Sequence, residues 1–251
     1  MAAITPISAS DLEFDHGSFD VAAFAAHTLS SWQNLAAVID HTLLKPEAPR
    51  SQVETLCSEA ATYRFACAMV NPAWAATAVS LLAGTGVPVG VVIGFPLGAS
   101  LASTLRQEAE MLSRLGVKEL DMVLPVGHLK SGDYQTVENA IRSTAQVAHA
   151  RGSLLKVILE TALLNTEEKL RSTEIAIACG ANFVKTSTGF AKSGATPEDV
   201  SLMRGVAGAR CGVKASGGIR TLADVRTMLE AGASRIGASA SVAIVRELGA
   251  K

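Results

Sequence analysis

From about Leu35 onward, short apolar runs rich in β-branched residues alternate with longer segments of helical period, at a repeat of roughly 25–30 residues. The runs cover residues 38–43, 65–70, 88–94, 119–123, 154–160, 183–186, 212–215 and 235–238. Helix starts are marked by Ser51 ahead of Gln52, by Thr166 with Glu167 and Glu168 in a first turn, by Thr196-Pro197-Glu198, and by Thr221 with Asp224 three residues on. Helix stops are marked by Gly116, Gly152, Gly180 and Gly232.

Eight strands, each followed by a helix and mostly too apolar to face water on either side, predict an α/β fold of the TIM (β/α)8 barrel type over residues 34–251. Residues 1–33 are expected to be an N-terminal extension, in which acidic Asp11, Glu13, Asp15 and Asp20 precede a short helix over 21–29. In such barrels the chemistry gathers at the carboxyl ends of the strands and in the loops that follow.

Composition agrees with one large core: 49% of the 251 residues are hydrophobic and 18% charged, which argues against disorder. A net charge of -1 supplies no basic excess for a nucleic-acid backbone or an anionic membrane surface. The uncharged stretch 65–105 invites a membrane reading, but Pro72, Gly84, Gly86, Pro88, Gly94 and Pro96 interrupt it too often for a span. Cys57, Cys67, Cys179 and Cys211 lack metal-ligand spacing and read as reduced thiols, with Cys67 buried in a strand. No Lys or Arg precedes Lys45, a poor start for a secretory or organellar signal, so a cytoplasmic setting is expected.

Ionisable residues stand where a core should be: Asp40, Asp121, Lys156, Glu160, Lys185 and Lys214 all lie inside apolar strand runs. An unpaired buried charge costs several kcal/mol, so these groups must be paired or used. The strands with Lys156, Lys185 and Lys214 are consecutive and therefore neighbours in a parallel barrel. A lysine amine attacks a carbonyl only when neutral, and a second cation nearby disfavours its protonation. Lys185 beside Lys214, with Asp121 and Lys156 completing a proton relay, therefore predicts Schiff-base chemistry on Lys185. Glycines at three consecutive strand ends suggest a phosphate site: Thr188-Gly189, Gly217-Gly218 and Gly237-Ala238-Ser239.

At these residues the chain resembles the deoxyribose-phosphate aldolases, class I aldolases of deoxyribonucleoside breakdown. The likeness runs from Ile39-Asp40-His41-Thr42-Leu43-Leu44-Lys45-Pro46 to the last strand, and Lys185-Thr186-Ser187-Thr188-Gly189 is its most specific part. It implies Lys185 as the Schiff-base lysine and Asp121 and Lys214 in the proton transfers, with Lys156, Asp40 and Cys67 as a supporting network. It also implies a small phosphorylated sugar as substrate, bound by Thr188, Gly189, Gly217, Gly218 and Ser239, with no metal and no organic cofactor.

Two departures stand out, Phe190 where some members of the family carry Lys, and Ser239-Ala240 where a Ser-Ser pair is common. Both imply weaker hold on phosphate. Rival readings are a ketose-phosphate aldolase or transaldolase, needing more room around the nucleophilic fragment, and a catalytically dead phosphate-binding barrel. His41 and His128 are isolated and read as structural. The uncharged helix 74–83 is covered either by the barrel's own shell or by a second copy in a homo-oligomer, dimer or tetramer.

Overall fold

The computed structural model describes residues 19–251. Its strands are β1 (Ile39–Leu43), β2 (Cys67–Val70), β3 (Val89–Ile93), β4 (Glu119–Val123), β5 (Leu154–Ile158), β6 (Phe183–Lys185), β7 (Gly212–Ser216) and β8 (Arg235–Ala238). Each pairs in parallel with its sequence neighbours, and β8 closes onto β1 with Ile39 opposite Ile236 and Asp40 opposite Gly237. This is the expected TIM barrel, with several strands trimmed at their ends. In β5 the last two residues are lost, and Glu160 takes a left-handed backbone (φ 56) that turns the chain out of the sheet after Leu159.

The barrel explains why the strands read as continuous apolar runs rather than as alternating ones. Both faces are buried, and the alternation is between two kinds of burial. In β4, Leu120 and Met122 join the core between sheet and helices, as do Leu155 and Val157 in β5, Val213 and Ala215 in β7 and Ile236 in β8. The intervening residues, Glu119, Asp121, Lys156, Lys185 and Lys214, are buried too but belong to the barrel's interior. On the β2–β3 side that interior is apolar, filled by Cys67, Met69 and Val92 with Leu44 and Phe95 against them.

The local signals at helix ends hold in part. Thr196 caps Pro197–Ala207 and Thr221 forms a reciprocal capping box with Asp224. The helix Thr166–Ala178 is capped instead by Asn165, one residue earlier than expected, because Asn165 and Glu168 form the box and leave Thr166 inside the first turn. Ser51 likewise lies inside Arg50–Tyr63, which starts after Pro49 without a side-chain cap. Gly116, Gly152, Gly180 and Gly232 all take positive φ where their helices stop.

Asp20 caps the helix Val21–Thr28, which packs on Leu222–Glu230 at the outside of the barrel. Ahead of it, the Phe19 ring lies 4.0 Å from the Arg204 guanidinium. The short helix Trp32–Ala36 then leads into β1. Asp11, Glu13 and Asp15 lie outside the described residues. The uncharged segment after β2 is a 3-10 turn followed by Ala75–Leu81, with Ala75 and Ala78 buried and Leu81 exposed, so the barrel covers one face of it.

Candidate active site

Parallel pairing puts Lys185 beside Lys214 and Asp121 beside Lys156. From these positions the side chains meet inside the barrel on two carboxylates. Asp121 accepts from Lys185 Nζ at 2.8 Å and from Lys214 Nζ at 2.7 Å on the same Oδ2, and from Lys156 Nζ at 2.9 Å on Oδ1. Asp40 accepts from Lys214 and Lys156 at 2.5 and 2.9 Å on Oδ2, and from Arg235 Nη1 at 2.7 Å on Oδ1. Sharing one carboxylate oxygen, the Lys185 and Lys214 amines occupy a single compartment.

The electrostatics differ from group to group. For Lys185, burial pushes the amine down first, the Asp121 carboxylate pushes back, and the Lys214 ammonium lowers it again, to about 8. Dehydration is therefore the leading cause, and the neighbouring cation, which sequence reasoning put first, is secondary. Burial would raise Asp121 and Asp40, but the lysines around them outweigh it and hold both carboxyls below the usual carboxylate range. Burial would likewise strip the proton from Lys156, yet Asp121, Asp40 and Glu119 keep it firmly charged. Gly237 makes room for this arrangement, since a Cβ there would stand 3.0 Å from Lys214 Cε.

Cys67 is buried at the edge of the network, where burial and the carboxylates of Glu119 and Asp40 hold its thiol protonated. Asp40, Cys67 and Glu119 bring ligand atoms within 4.8 Å of one another. Lys156 and Arg235 already neutralise those carboxylates and would repel a further cation.

The glycine-marked loops lie just beyond. Gly189, Gly218 and Ser239 are exposed at the carboxyl ends of β6 to β8, while Gly217 is half-buried. The β6 and β7 loops are zipped together: Ala195 N–H donates to Ser216 O and Gly217 O, and a Cβ on Gly194 would fall 2.1 Å from Gly217 O. Thr188 is placed differently from its neighbours. It is buried, and both its N–H, at 3.3 Å, and its hydroxyl donate to the Glu160 carboxylate, which anchors the loop from β5.

Sequence reasoning passed over Glu119 and Arg235, which stand at strand starts and look like ordinary solvated flanks. It also passed over Ser187, whose Oγ is buried without a partner among the described residues. Glu160 was noticed as a charge, but nothing in its spacing announces the left-handed turn that aims it at Thr188. The histidines are structural in kind: His41 faces outward to Glu59 at 2.9 Å beside Phe65, and His128 pairs with Asp133 at 2.9 Å on the surface.

The model of the DeoC/LacD aldolase family matches residues 12–248. The chain belongs to that family. Its similarity to curated members is high: it is 51% identical over 212 residues to a deoxyribose-phosphate aldolase of Geobacillus sp. (strain WCH70), covering 84% of this chain and 95% of the relative. Against a deoxyribose-phosphate aldolase of Bacillus cytotoxicus (strain DSM 22905 / CIP 110041 / 391-98 / NVH 391-98) the identity is 52% with the same coverage. Among solved structures, the deoxyribose-phosphate aldolase of Aeropyrum pernix, described as a unique tetramer, superposes with a TM-score of 0.84 at 34% identity, over 91% of this chain and 96% of that one. As an aldolase of this family the chain needs an amine or a Lewis acid to activate its carbonyl substrate, and the buried lysines supply the former. No helix among the described residues is long and apolar enough to cross a membrane.

Proposed function

We propose that the protein is a class I aldolase that reversibly cleaves 2-deoxy-D-ribose 5-phosphate to D-glyceraldehyde 3-phosphate and acetaldehyde through a Schiff base on Lys185. The observation that carries this reading is one buried amine, Lys185, bound to a carboxylate oxygen that it shares with the Lys214 ammonium and brought down to about 8.

The neutral amine attacks the aldehyde carbon of the open-chain sugar, and loss of water gives the iminium. As the C3 hydroxyl gives up its proton, the C2–C3 bonding pair moves into the iminium, releasing glyceraldehyde 3-phosphate and leaving an enamine. Protonation of the enamine carbon and addition of water then free acetaldehyde and Lys185. Asp121 and Lys214 serve these proton transfers, since they share the oxygen that also receives the Lys185 amine. The iminium is itself the electron sink, so the chemistry calls for neither metal nor organic cofactor.

The phosphate lies against Gly189, Gly217, Gly218 and Ser239. In support, the N–H groups of Gly218 and Ser239 find no acceptor among the described residues, and both residues are exposed. Thr188 serves here as the loop's anchor through Glu160. The apolar side chains of Cys67, Met69, Val92 and Phe95 across the interior suit a small two-carbon fragment better than a hydroxylated ketose.

The same reading sets the enzyme in the cytoplasm, where its four free buried cysteines stay reduced. It acts as a homo-oligomer, in keeping with the exposed Leu81, Met111 and Leu115 on neighbouring outer helices, and has no nucleic-acid partner. Borohydride reduction in the presence of acetaldehyde, followed by peptide mass mapping, tests the mechanism. An adduct on Lys185 is expected, and an adduct on any other lysine would overturn it.

A further inference from the structure

The barrel holds a second tier of charge that the proposed reaction never touches. Glu119 opens β4 and Arg235 opens β8, so both stand on the floor, at the amino ends of their strands. Arg235 Nη1 donates to Asp40 at 2.7 Å and lies 3.5 Å from Glu119, with its guanidinium 5.1 Å from the Phe183 ring. Glu119 in turn lies 2.5 Å from Lys156 Nζ. Asp40 and Lys156 connect this floor to Asp121, and hence to Lys185 and Lys214.

The whole cluster contains four cations, Lys156, Lys185, Lys214 and Arg235, against three carboxylates, Asp40, Glu119 and Asp121. With every group ionised it carries one positive charge too many, and a dry interior resists net charge. One cation is therefore the first to give up its proton as pH rises, and the contacts decide which. Arg235 cannot, because a guanidinium stays protonated. Lys156 touches three carboxylates and Lys214 two, whereas Lys185 touches only Asp121, on an oxygen it shares. The other strands do not alter the count. The Cys67 thiol on β2 is held protonated, β3 presents Gly90 and Val92, His41 on β1 faces out to Glu59, and the Glu160 carboxylate after β5 is taken by Thr188.

We propose that Glu119 and Arg235 are positioning residues for imine formation: by fixing the charge of the floor they make Lys185, rather than Lys156 or Lys214, the amine that deprotonates first. The inference rests on Lys185 as the imine-forming lysine. With the iminium formed, three carboxylates again face four cations and none is to spare for it, which sharpens that group's pull on electrons.

The two charges have opposite signs, and this separates an electrostatic role from a structural one. In Arg235→Gln the cluster balances with Lys185 charged, so the midpoint of the pH dependence of borohydride-trapped acetaldehyde adduct should rise by about half a unit to one unit. In Glu119→Gln the excess grows, and the midpoint should fall by a similar amount. Arg235→Lys, which keeps the charge, and the double variant Glu119→Gln/Arg235→Gln, which removes one charge of each sign, should stay near the parent. Shifts of one sign in both single variants, or none in either while the adduct stays on Lys185, overturn the proposal. An adduct elsewhere in the parent enzyme overturns the Lys185 reading instead. Should a single variant fail to fold, the double variant decides: a midpoint displaced by about a unit, or label moved to Lys156 or Lys214, refutes the idea.

Discussion

An amine with the ordinary value of 10.5 is neutral in about one molecule in 3,000 at pH 7, whereas one at about 8 is neutral in about one in ten. The environment of Lys185 thus raises the population of nucleophile about 300-fold before any substrate arrives. Imine formation with acetaldehyde should accordingly climb about tenfold per pH unit below 8 and level off above it, read by borohydride trapping from pH 6 to 10. A profile still climbing at pH 10 would mean that Lys185 is hydrated and ordinary. In Lys214→Met the plateau should move to higher pH, because one of the influences lowering the amine is gone. In the proposed reaction Glu160 acts on the other half of the substrate, through the loop it anchors. It is buried in a left-handed conformation, where an ordinary residue is strained, and its carboxylate receives both donors of Thr188. Charge-assisted bonds of this kind are worth about 1.5–3 kcal/mol, so Glu160→Ala should raise KM for the phosphorylated sugar by about tenfold or more. Trapping of acetaldehyde on Lys185 should survive, and an unchanged KM would show that the loop holds itself.

At the scale of elements, the eight strands were legible because the chain is apolar on both faces of the sheet, and the ionisable residues within them were conspicuous for the same reason. Lys156, Lys185 and Lys214 could be assigned to one interior once their strands were seen to be consecutive, and the structure brings them onto Asp121. Glu119 and Arg235 were illegible because a charge at a strand's first residue is commonplace, and only closure of β8 onto β1 carries Arg235 to Asp40. The loops were half legible. Their glycines pointed to the strand ends where the proposed phosphate rim lies, but the engagement of Thr188 by Glu160 depends on a backbone turn that no spacing encodes. On that rim, Phe190 is 52% exposed and meets Phe95 edge-on with ring centroids 5.3 Å apart, while Ala240 offers no hydroxyl. With fewer polar donors to the phosphate, the enzyme should discriminate only modestly between 2-deoxyribose 5-phosphate and 2-deoxyribose. Comparing kcat/KM for the two checks this, and Phe190→Lys should widen the gap. A parent preference of about 10⁴-fold, equal to about 5.5 kcal/mol spent on the phosphate alone, would show that backbone N–H groups suffice.

The whole molecule bears the cost of burying the Lys185 amine in its core. A base whose folded value lies below its unfolded one leaves the native state holding fewer protons than the unfolded chain between the two. For Lys185 that window runs from about 8 to 10.5, so its contribution to stability improves as pH rises through the window, and below 8 its cost is present in full. The full shift corresponds to about 3 kcal/mol, an upper bound because the neighbouring charges respond to one another. Replacing Lys185 by Met removes the excess positive charge, while Asp121 keeps Lys156 and Lys214 as partners. The inactive Lys185→Met protein should therefore be more stable than its parent at pH 7, by about 1–3 kcal/mol, in urea or thermal unfolding. The difference should shrink as both are taken from pH 8 to 10.5, the parent gaining what the variant already has. At the acid end both should lose stability as pH falls beneath 3.8, since Asp40 is held below the usual range in both, but the variant should gain less from Asp121, which has lost the charge and hydrogen bond of Lys185 that help hold it down. A Met variant less stable than the parent at pH 7, with no difference in slope above pH 8, would mean that protonated Lys185 is a welcome part of the core, and the electrostatic account of its reactivity would fail with it.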